Sequence, residues 1–133
     1  MTFVDTNVIL DLVTDDPAWG GWSSDQLRLA SRSGSLLIND VVYAELAARY
    51  DSIENLDEMV KGTALELVQI PRAALFGAGK AFHRYRQSGG SRTGVLPDFF
   101  IGAHAEDLRI PLLTRDAARF RTYFPAVQLI TPQ

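Results

Sequence analysis

Cysteine is absent from this chain, which excludes disulfides, thiolate nucleophiles and Cys-ligated metal sites. No run approaches the ~20 apolar residues of a membrane span. The N-terminal Met1-Thr2-Phe3-Val4-Asp5 lacks the basic start and apolar stretch of a signal peptide, so a cytoplasmic protein with no membrane association is expected. No Gly-x-x-x-x-Gly-Lys-Ser/Thr loop occurs, no Gly-x-Gly-x-x-Gly follows a strand, and no Gly-x-Ser-x-Gly elbow is present. Only two histidines occur, which gives little support to a metal-free nuclease working through a histidine pair. His104, beside Gly102, Ala103 and Ala105, reads as a packing or hydrogen-bonding residue. His83 suits either an RNA contact or an exposed helix face. Acids are missing from the whole interval between Glu66 and Asp98, where Arg72, Lys80, Arg84, Arg86 and Arg92 all fall.

That last absence is half of an asymmetry hidden by the net charge of −3. Residues 1–66 carry twelve acids against four Lys/Arg, and residues 67–133 carry four against nine. A basic stretch of this kind is the footprint of a polyanion-binding surface, or else an ordinary solvated helix face. The 133 residues suit one domain, 1–133, in which roughly two-thirds of the unfolded surface can be buried.

Hydrophobic periodicity and breaker residues predict alternating strands and helices. A strand over Thr2–Val4 precedes a helix over Thr6–Val13 with Val8, Ile9, Leu12 and Val13 on one face. Asp15-Asp16-Pro17 breaks it, and Ser23 or Ser24 is expected to cap a second helix ending near Ser33 at Gly34. A strand over Ser35–Ile38 leads to a helix capped by Asn39 or Asp40 and running to about Tyr50. A further helix spans about Ile53–Thr63, with Ile53, Leu56, Met59 and Val60 at helical spacing for a core or a partner surface. Then follow a strand over Leu65–Ile70, a long helix over Arg72–Gln87 and a Gly-rich loop over Ser88–Gly94. Pro97 suits a first helical position in a helix reaching Leu108. A strand over Pro111–Thr114, a short helix over Asp116–Phe120 and a strand over Val127–Ile130 complete the chain. This alternation predicts an α/β fold with a mainly parallel sheet, whose site lies beyond the carboxyl ends of the strands. Trp19 and Trp22 flank Gly20-Gly21; they suit stacking on bases, anchoring a protein partner or, favoured slightly, covering the core edge.

Four carboxylates stand at the edges of apolar segments: Asp5, Glu45, Asp98 and Asp116. An acid beside buried apolar residues costs free energy unless paired, hydrogen-bonded or bound to a cation. Singly, Asp5 and Asp116 also read as helix N-caps, and Asp98 as a charge meeting a helix dipole. Glu45 sits mid-helix, with Val41, Val42 and Ala48 on the face expected to point inward. Together the four form an all-oxygen donor set suited to Mg²⁺ or Mn²⁺, and a bound cation relieves their mutual repulsion. Such an ion activates water and orients a phosphodiester. Thr114, two residues before Asp116, shares its side of the strand end and is expected to hold a metal-bound water. Thr6 and Asn7 are candidates to orient Asp5 or a phosphate, and Arg115 is a candidate phosphate contact or, equally, an ordinary surface arginine. Lys80, Arg84, Arg86 and Arg92 are candidates to hold a phosphate backbone.

Val-Asp-Thr-Asn-Val-Ile-Leu at 4–10, Ile-Asn-Asp-Val-Val-Tyr-Ala-Glu-Leu at 38–46, Leu-Pro-Asp-Phe-Phe-Ile-Gly-Ala-His-Ala at 96–105 and Leu-Leu-Thr-Arg-Asp at 112–116 resemble the PIN-domain family, in order and across nearly the whole chain. The likeness is greatest to the VapC-type toxins of bacterial toxin–antitoxin pairs. The resemblance implies a three-layer α/β/α sandwich around a parallel sheet and Mg²⁺- or Mn²⁺-dependent endoribonuclease activity. It matches Asp5, Glu45, Asp98 and Asp116 to the family's acidic quartet and Thr114 to its auxiliary hydroxyl. It implies attack by metal-activated water leaving a 3′-hydroxyl and a 5′-phosphate, a homodimer, and neutralisation by a cognate VapB-type antitoxin. Two other readings stay open. One is a non-catalytic PIN-like module that grips RNA or protein. The other is a phosphohydrolase for small phosphate esters, although the aspartyl-phosphate kind wants an acid where Asn7 stands.

Overall fold

The structure, a computed structural model, describes residues 1–132. β1 (Thr2–Val4) runs into α1 (Thr6–Val13), followed by α2 (Gly20–Ser33), β2 (Leu36–Asn39), α3 (Asp40–Ala47), α4 (Ile53–Gly62) and β3 (Leu65–Val68). The second half holds α5 (Arg72–Gln87), α6 (Leu96–Leu108), β4 (Leu112–Leu113), α7 (Ala118–Tyr123) and β5 (Leu129–Ile130). All four strand pairings are parallel, in the order β3-β2-β1-β4-β5. The three central strands are buried throughout, as a parallel sheet covered on both faces requires.

That order places the site. From β1 the chain steps outward through β2 to β3, then returns past β1 to β4 and β5. Right-handed crossovers made in opposite directions put their helices on opposite faces. So α1–α4 cover one face and α5–α7 the other, giving three layers. Consistent with this, α1 packs on α2 and α3, while α6 packs on α5 and α7. The two sets of connections diverge between β1 and β4, and a crevice opens there at the carboxyl ends of the strands. Phe3 pairs with Leu112 and Val4 with Leu113, so Asp5 and Thr114 emerge side by side.

The core joins the sheet residues Phe3, Val4, Ile38, Leu112 and Leu113 to Val8, Ile9, Phe99, Phe120 and Phe124 from the helices. Gly102 is required by this packing, because a Cβ there would lie 2.4 Å from the Phe124 ring. His104 is buried, with Nδ1 3.1 Å from the Asn39 amide nitrogen and its ring 5.2 Å from Phe3, as its apolar setting predicts. Asn39 caps α3 as expected, its Oδ1 accepting from the Val41 and Val42 backbone N–H groups.

Several boundaries differ from expectation, each for a local reason. Helix α2 starts at Gly20, earlier than a Ser23 or Ser24 cap predicts, because Asp16 Oδ1 accepts from the backbone N–H groups of Ala18 and Trp19. Ser23 is inside the helix and donates its hydroxyl to Asp11 at 2.7 Å. Helix α7 starts at Ala118 and runs to Tyr123. The Asp116 N–H is instead held by the Thr114 hydroxyl at 3.1 Å, which keeps that residue in a turn. Helix α3 stops at Ala47; β1 falls where expected, β2 is shifted one residue later, and β3, β4 and β5 are each two residues shorter than expected. In α4, Leu56 faces the core while Ile53 is exposed. Trp22 packs against the core and Trp19 meets it edge-on at 6.2 Å, which fits a cover over the core edge.

Candidate metal centre

A cavity of about 180 Å³ at the β1–β4 crevice is lined by Asp5, Thr6, Asn7, Leu10, Glu45, Asp98, Asp116 and Phe120. Four acids separated by up to 111 positions in sequence thus meet at one place. A larger concavity of about 680 Å³ lies at the opposite end of the sheet, walled by Ala73, Gly77, Ala103, Pro111 and Val127 with Glu106, Asp107, Arg109 and Gln128 beside them. The smaller cavity is the one that gathers the four acids at the carboxyl ends of the strands.

Asp5 is only 5% exposed. Its backbone occupies the N-cap position of α1, but its side chain makes no capping hydrogen bond. The carboxylate instead accepts from the Thr114 hydroxyl at 2.7 Å and from Asn7 Nδ2 at 3.3 Å, both at Oδ2. Burial pushes the Asp5 carboxyl up to about 7; the Thr114 hydrogen bond opposes this, and the charges of Asp98 and Glu45 add to it. Thr114, itself buried, therefore holds Asp5 directly. The hydroxyl expected to hold a metal-bound water thus spends its proton on Asp5 and keeps its lone pairs for accepting.

Thr6 likewise serves another partner than expected: its hydroxyl donates to Glu45 Oε1 at 2.6 Å, tying α1 to α3. Glu45 is exposed at the rim, because the buried stripe of α3 is Val42 and Leu46, and Ala48 is exposed too. Its carboxyl end turns inward to Thr6, and partial burial raises its pKa against that hydrogen bond, with Asp98 adding repulsion. Asn7 bridges the two strand ends, since its Oδ1 also accepts from the Arg115 N–H at 3.2 Å.

Asp98 lies in the first turn of α6, and Asp116 is exposed in the turn after β4. Asp116 makes no cap of α7, whose N-cap is Ala117. Asp98 pairs with Arg119 of α7 at 2.5 Å. Burial still raises the Asp98 carboxyl; Arg119 opposes this by hydrogen bond and charge, Asp116 adds repulsion, and Arg92 lowers it slightly. Arg119 has little to mark it in the sequence beyond a position one helical turn after Asp116, and sequence reasoning misses it.

The candidate phosphate-binding residues divide. Arg92 is close enough to act on Asp98. Lys80, Arg84 and Arg86 are exposed on α5 and do not line the cavity; Lys80 lies over Phe76 and Arg86 over Phe82. Arg115 departs from expectation. Its guanidinium grips Asp11 through two nitrogens at 2.7 and 3.0 Å and lies over the Trp19 ring at 5.5 Å. It is committed inside the fold because Asp11 is 2% exposed and needs a counter-charge.

The donor set is all oxygen and fits a hard divalent cation. Among the described residues no three acid or imidazole groups are drawn tightly enough to clasp one ion as they stand. Asp98 leans to Arg119, Glu45 to Thr6 and Asp5 to Thr114. Mg²⁺ commonly takes only one or two carboxylates and keeps several waters, so the cleft remains suited to it.

A parallel α/β fold with a cluster of acids at its switch point defines a class in which comparison is informative. The PIN domain model matches residues 2–124, and the chain belongs to the PIN-domain family. No curated protein matches it in sequence. Among solved structures it is similar to a chain of VapBC2 from Rickettsia felis, bound to a promoter DNA fragment, with TM-score 0.75 and 19% identity, covering 99% of this chain and 98% of that one. It is also similar to DNA-bound VapBC from Salmonella typhimurium, with TM-score 0.72, 18% identity and 98% and 96% coverage. FitAcB from Neisseria gonorrhoeae aligns at TM-score 0.63, 18% identity and 98% and 96% coverage. These likenesses show a shared fold.

Proposed function

We propose that this protein is a Mg²⁺- or Mn²⁺-dependent endoribonuclease, and that it acts in the cytoplasm as the toxin of a VapBC-type pair, restrained by a cognate antitoxin. The observation that carries the nuclease reading is Asp5: a carboxylate 5% exposed, facing three further acids across one cavity, and met among the described residues by neutral donors, the Thr114 hydroxyl, the Asn7 amide and the Thr6 backbone N–H. Such a group is stabilised by a cation from outside the chain. The toxin role is supported by the shared fold with chains of toxin–antitoxin complexes and by family membership.

Asp5, Asp98 and Asp116 would hold the ion, with Glu45 joining directly or through water. When bound, the ion supplies activation of water, charge neutralisation at the phosphate and stabilisation of the departing oxygen. The chain's own residues supply orientation. Thr114 fixes the Asp5 carboxylate, Thr6 fixes Glu45, and Asn7 locks the β1 end to the β4 turn. Arg92 is placed to meet phosphate beside Asp98, and Lys80, Arg84 and Arg86 extend a basic track along α5 for RNA further from the cleft. A homodimer accompanies this reading.

A second reading, a non-catalytic RNA- or protein-binding module, draws support from the Asp98–Arg119 pair, since a pair inside the site satisfies one of the acids without metal. Incubating pure protein with RNA and Mn²⁺ separates the two. The nuclease reading expects cleavage that EDTA stops and that Asp5→Asn or Asp98→Asn reduces to background in folded protein. Binding without cleavage, or cleavage indifferent to EDTA, contradicts it.

A further inference from the structure

Two arginines of the β4–α7 segment pair with aspartates, and they do so differently. Arg115 engages Asp11 through two nitrogens, on a carboxylate 2% exposed. Arg119 engages Asp98 through one nitrogen, at a pair whose side chains are 21% and 30% exposed. The first geometry is a fixed fork. The second is a single contact at the mouth of the acid cavity, made from a helix of six residues. In the same conformation the Arg119 guanidinium lies over the Tyr85 ring at 6.0 Å, a second contact that does not depend on Asp98. Tyr85 is itself packed on Phe99 and Tyr123, so that ring is rigid.

We propose that Arg119 is an exchangeable counter-ion: it holds Asp98 while no divalent cation is bound, surrenders it when one arrives, and then turns its guanidinium to the RNA phosphate. The proposal rests on the nuclease reading above. The physical reason is competition for one carboxylate. A divalent ion and a guanidinium on the same group repel each other at close range, and the Arg119 Nη1 hydrogen bond takes up Asp98 Oδ2, leaving the ion Oδ1 alone. Once free, a planar fork beside the cleft matches the geometry of a phosphodiester.

Mn²⁺ titration of the full chain, followed by electron paramagnetic resonance, tests the exchange. Arg119→Gln is expected to bind Mn²⁺ about fivefold more tightly than wild type, the upper end of what a pair with this exposure is worth. Arg119→Lys should fall between the two. Arg121→Gln removes the same charge from an exposed position on the same helix and should stay within about twofold of wild type. At saturating Mn²⁺, the KM for RNA should rise about tenfold in Arg119→Gln, with partial recovery in Arg119→Lys. In the wild-type protein the Arg119 side-chain nitrogen resonances should move on Mg²⁺ addition, with the midpoint of Mg²⁺ binding. Unchanged or weaker Mn²⁺ affinity in Arg119→Gln overturns the competition, as does an equal gain in Arg121→Gln. An unchanged KM overturns the phosphate contact. Failure of the wild-type protein to bind Mn²⁺ at all refutes the metal centre itself, an outcome distinct from wild-type binding that Arg119 does not influence.

Discussion

Asp5 and Asp11 lie at the two ends of little more than one helix, are 5% and 2% exposed, and differ in what neutralises them. Asp11 has an internal cation, the forked guanidinium of Arg115, together with the Ser23 hydroxyl. Asp5 is met by neutral donors, the hydroxyl of Thr114, the amide of Asn7 and the backbone N–H of Thr6, and its carboxyl is pushed up to about 7 by burial. One buried acid completes the fold. The other is costly to the fold and has a purpose only if a cation comes to it. On the proposed function, Asp11 is a structural carboxylate and Asp5 the one that takes an ion.

The same substitution at the two positions should therefore act in opposite ways. Asp5→Asn is expected to remove RNA cleavage while stabilising the metal-free fold at pH 8 by roughly 2 kcal/mol, seen as a Tm about 6 °C higher in EDTA. Asp11→Asn is expected to cost about 2–3 kcal/mol, because it leaves a partly buried guanidinium unpaired. It should retain cleavage per folded molecule within about tenfold. Thermal melts and cleavage assays on the two variants give the answer, and a destabilised Asp5→Asn would break the comparison.

The pH dependence sharpens it. Asp5 has its carboxyl raised from 3.8 to about 7 in the folded protein, so the fold holds a proton that the unfolded chain releases. Stability of the metal-free protein is accordingly fullest near pH 4 and declines as pH rises to about 7, then levels. Glu45 and Asp98, also raised, act in the same direction. Urea midpoints in EDTA should fall over that interval for the wild-type protein and fall less for Asp5→Asn; parallel profiles would show that Asp5 is not the group responsible.

Smaller effects follow from the neutral donors and the distant cations. Thr114→Val removes the hydroxyl on Asp5 and should lower cleavage about 10- to 100-fold, the range for groups that orient a metal ligand. Lys80→Gln or Arg84→Gln should leave the chemical step alone and reduce the salt dependence of RNA binding by about one unit of slope for each phosphate no longer neutralised. A loss of turnover in single-turnover assays would place those residues nearer the cleft than α5 carries them.

Most of this architecture is written locally in the chain. The β1–α1 junction, the Asn39 cap and the long α5 follow from periodicity and capping chemistry, and the four acids stand out as charges beside apolar runs. What local pattern misses depends on partners far away in sequence. Ser23 looks like a cap but is bonded to Asp11; Thr114 looks solvent-facing but is bonded to Asp5, 109 positions away. Asp11 carries the same signal as Asp5, an acid inside Val8-Ile9-Leu10-Asp11-Leu12-Val13, and the same energetic reasoning applied there predicts a buried counter-charge. Arg115 supplies that charge, and so leaves the set of phosphate contacts that its place beside Asp116 suggests.

Calorimetric titration of Mn²⁺ into the wild-type protein, Asp5→Asn and Asp11→Asn at pH 6 and pH 8 bears most directly on the distinction between the two acids. Saturable binding is expected to the wild-type protein and to Asp11→Asn, with more protons released at pH 6 than at pH 8, and none to Asp5→Asn. Equal affinity in Asp5→Asn and wild type, or no binding to any of the three, would contradict the assignment of Asp5 as the carboxylate that awaits a cation.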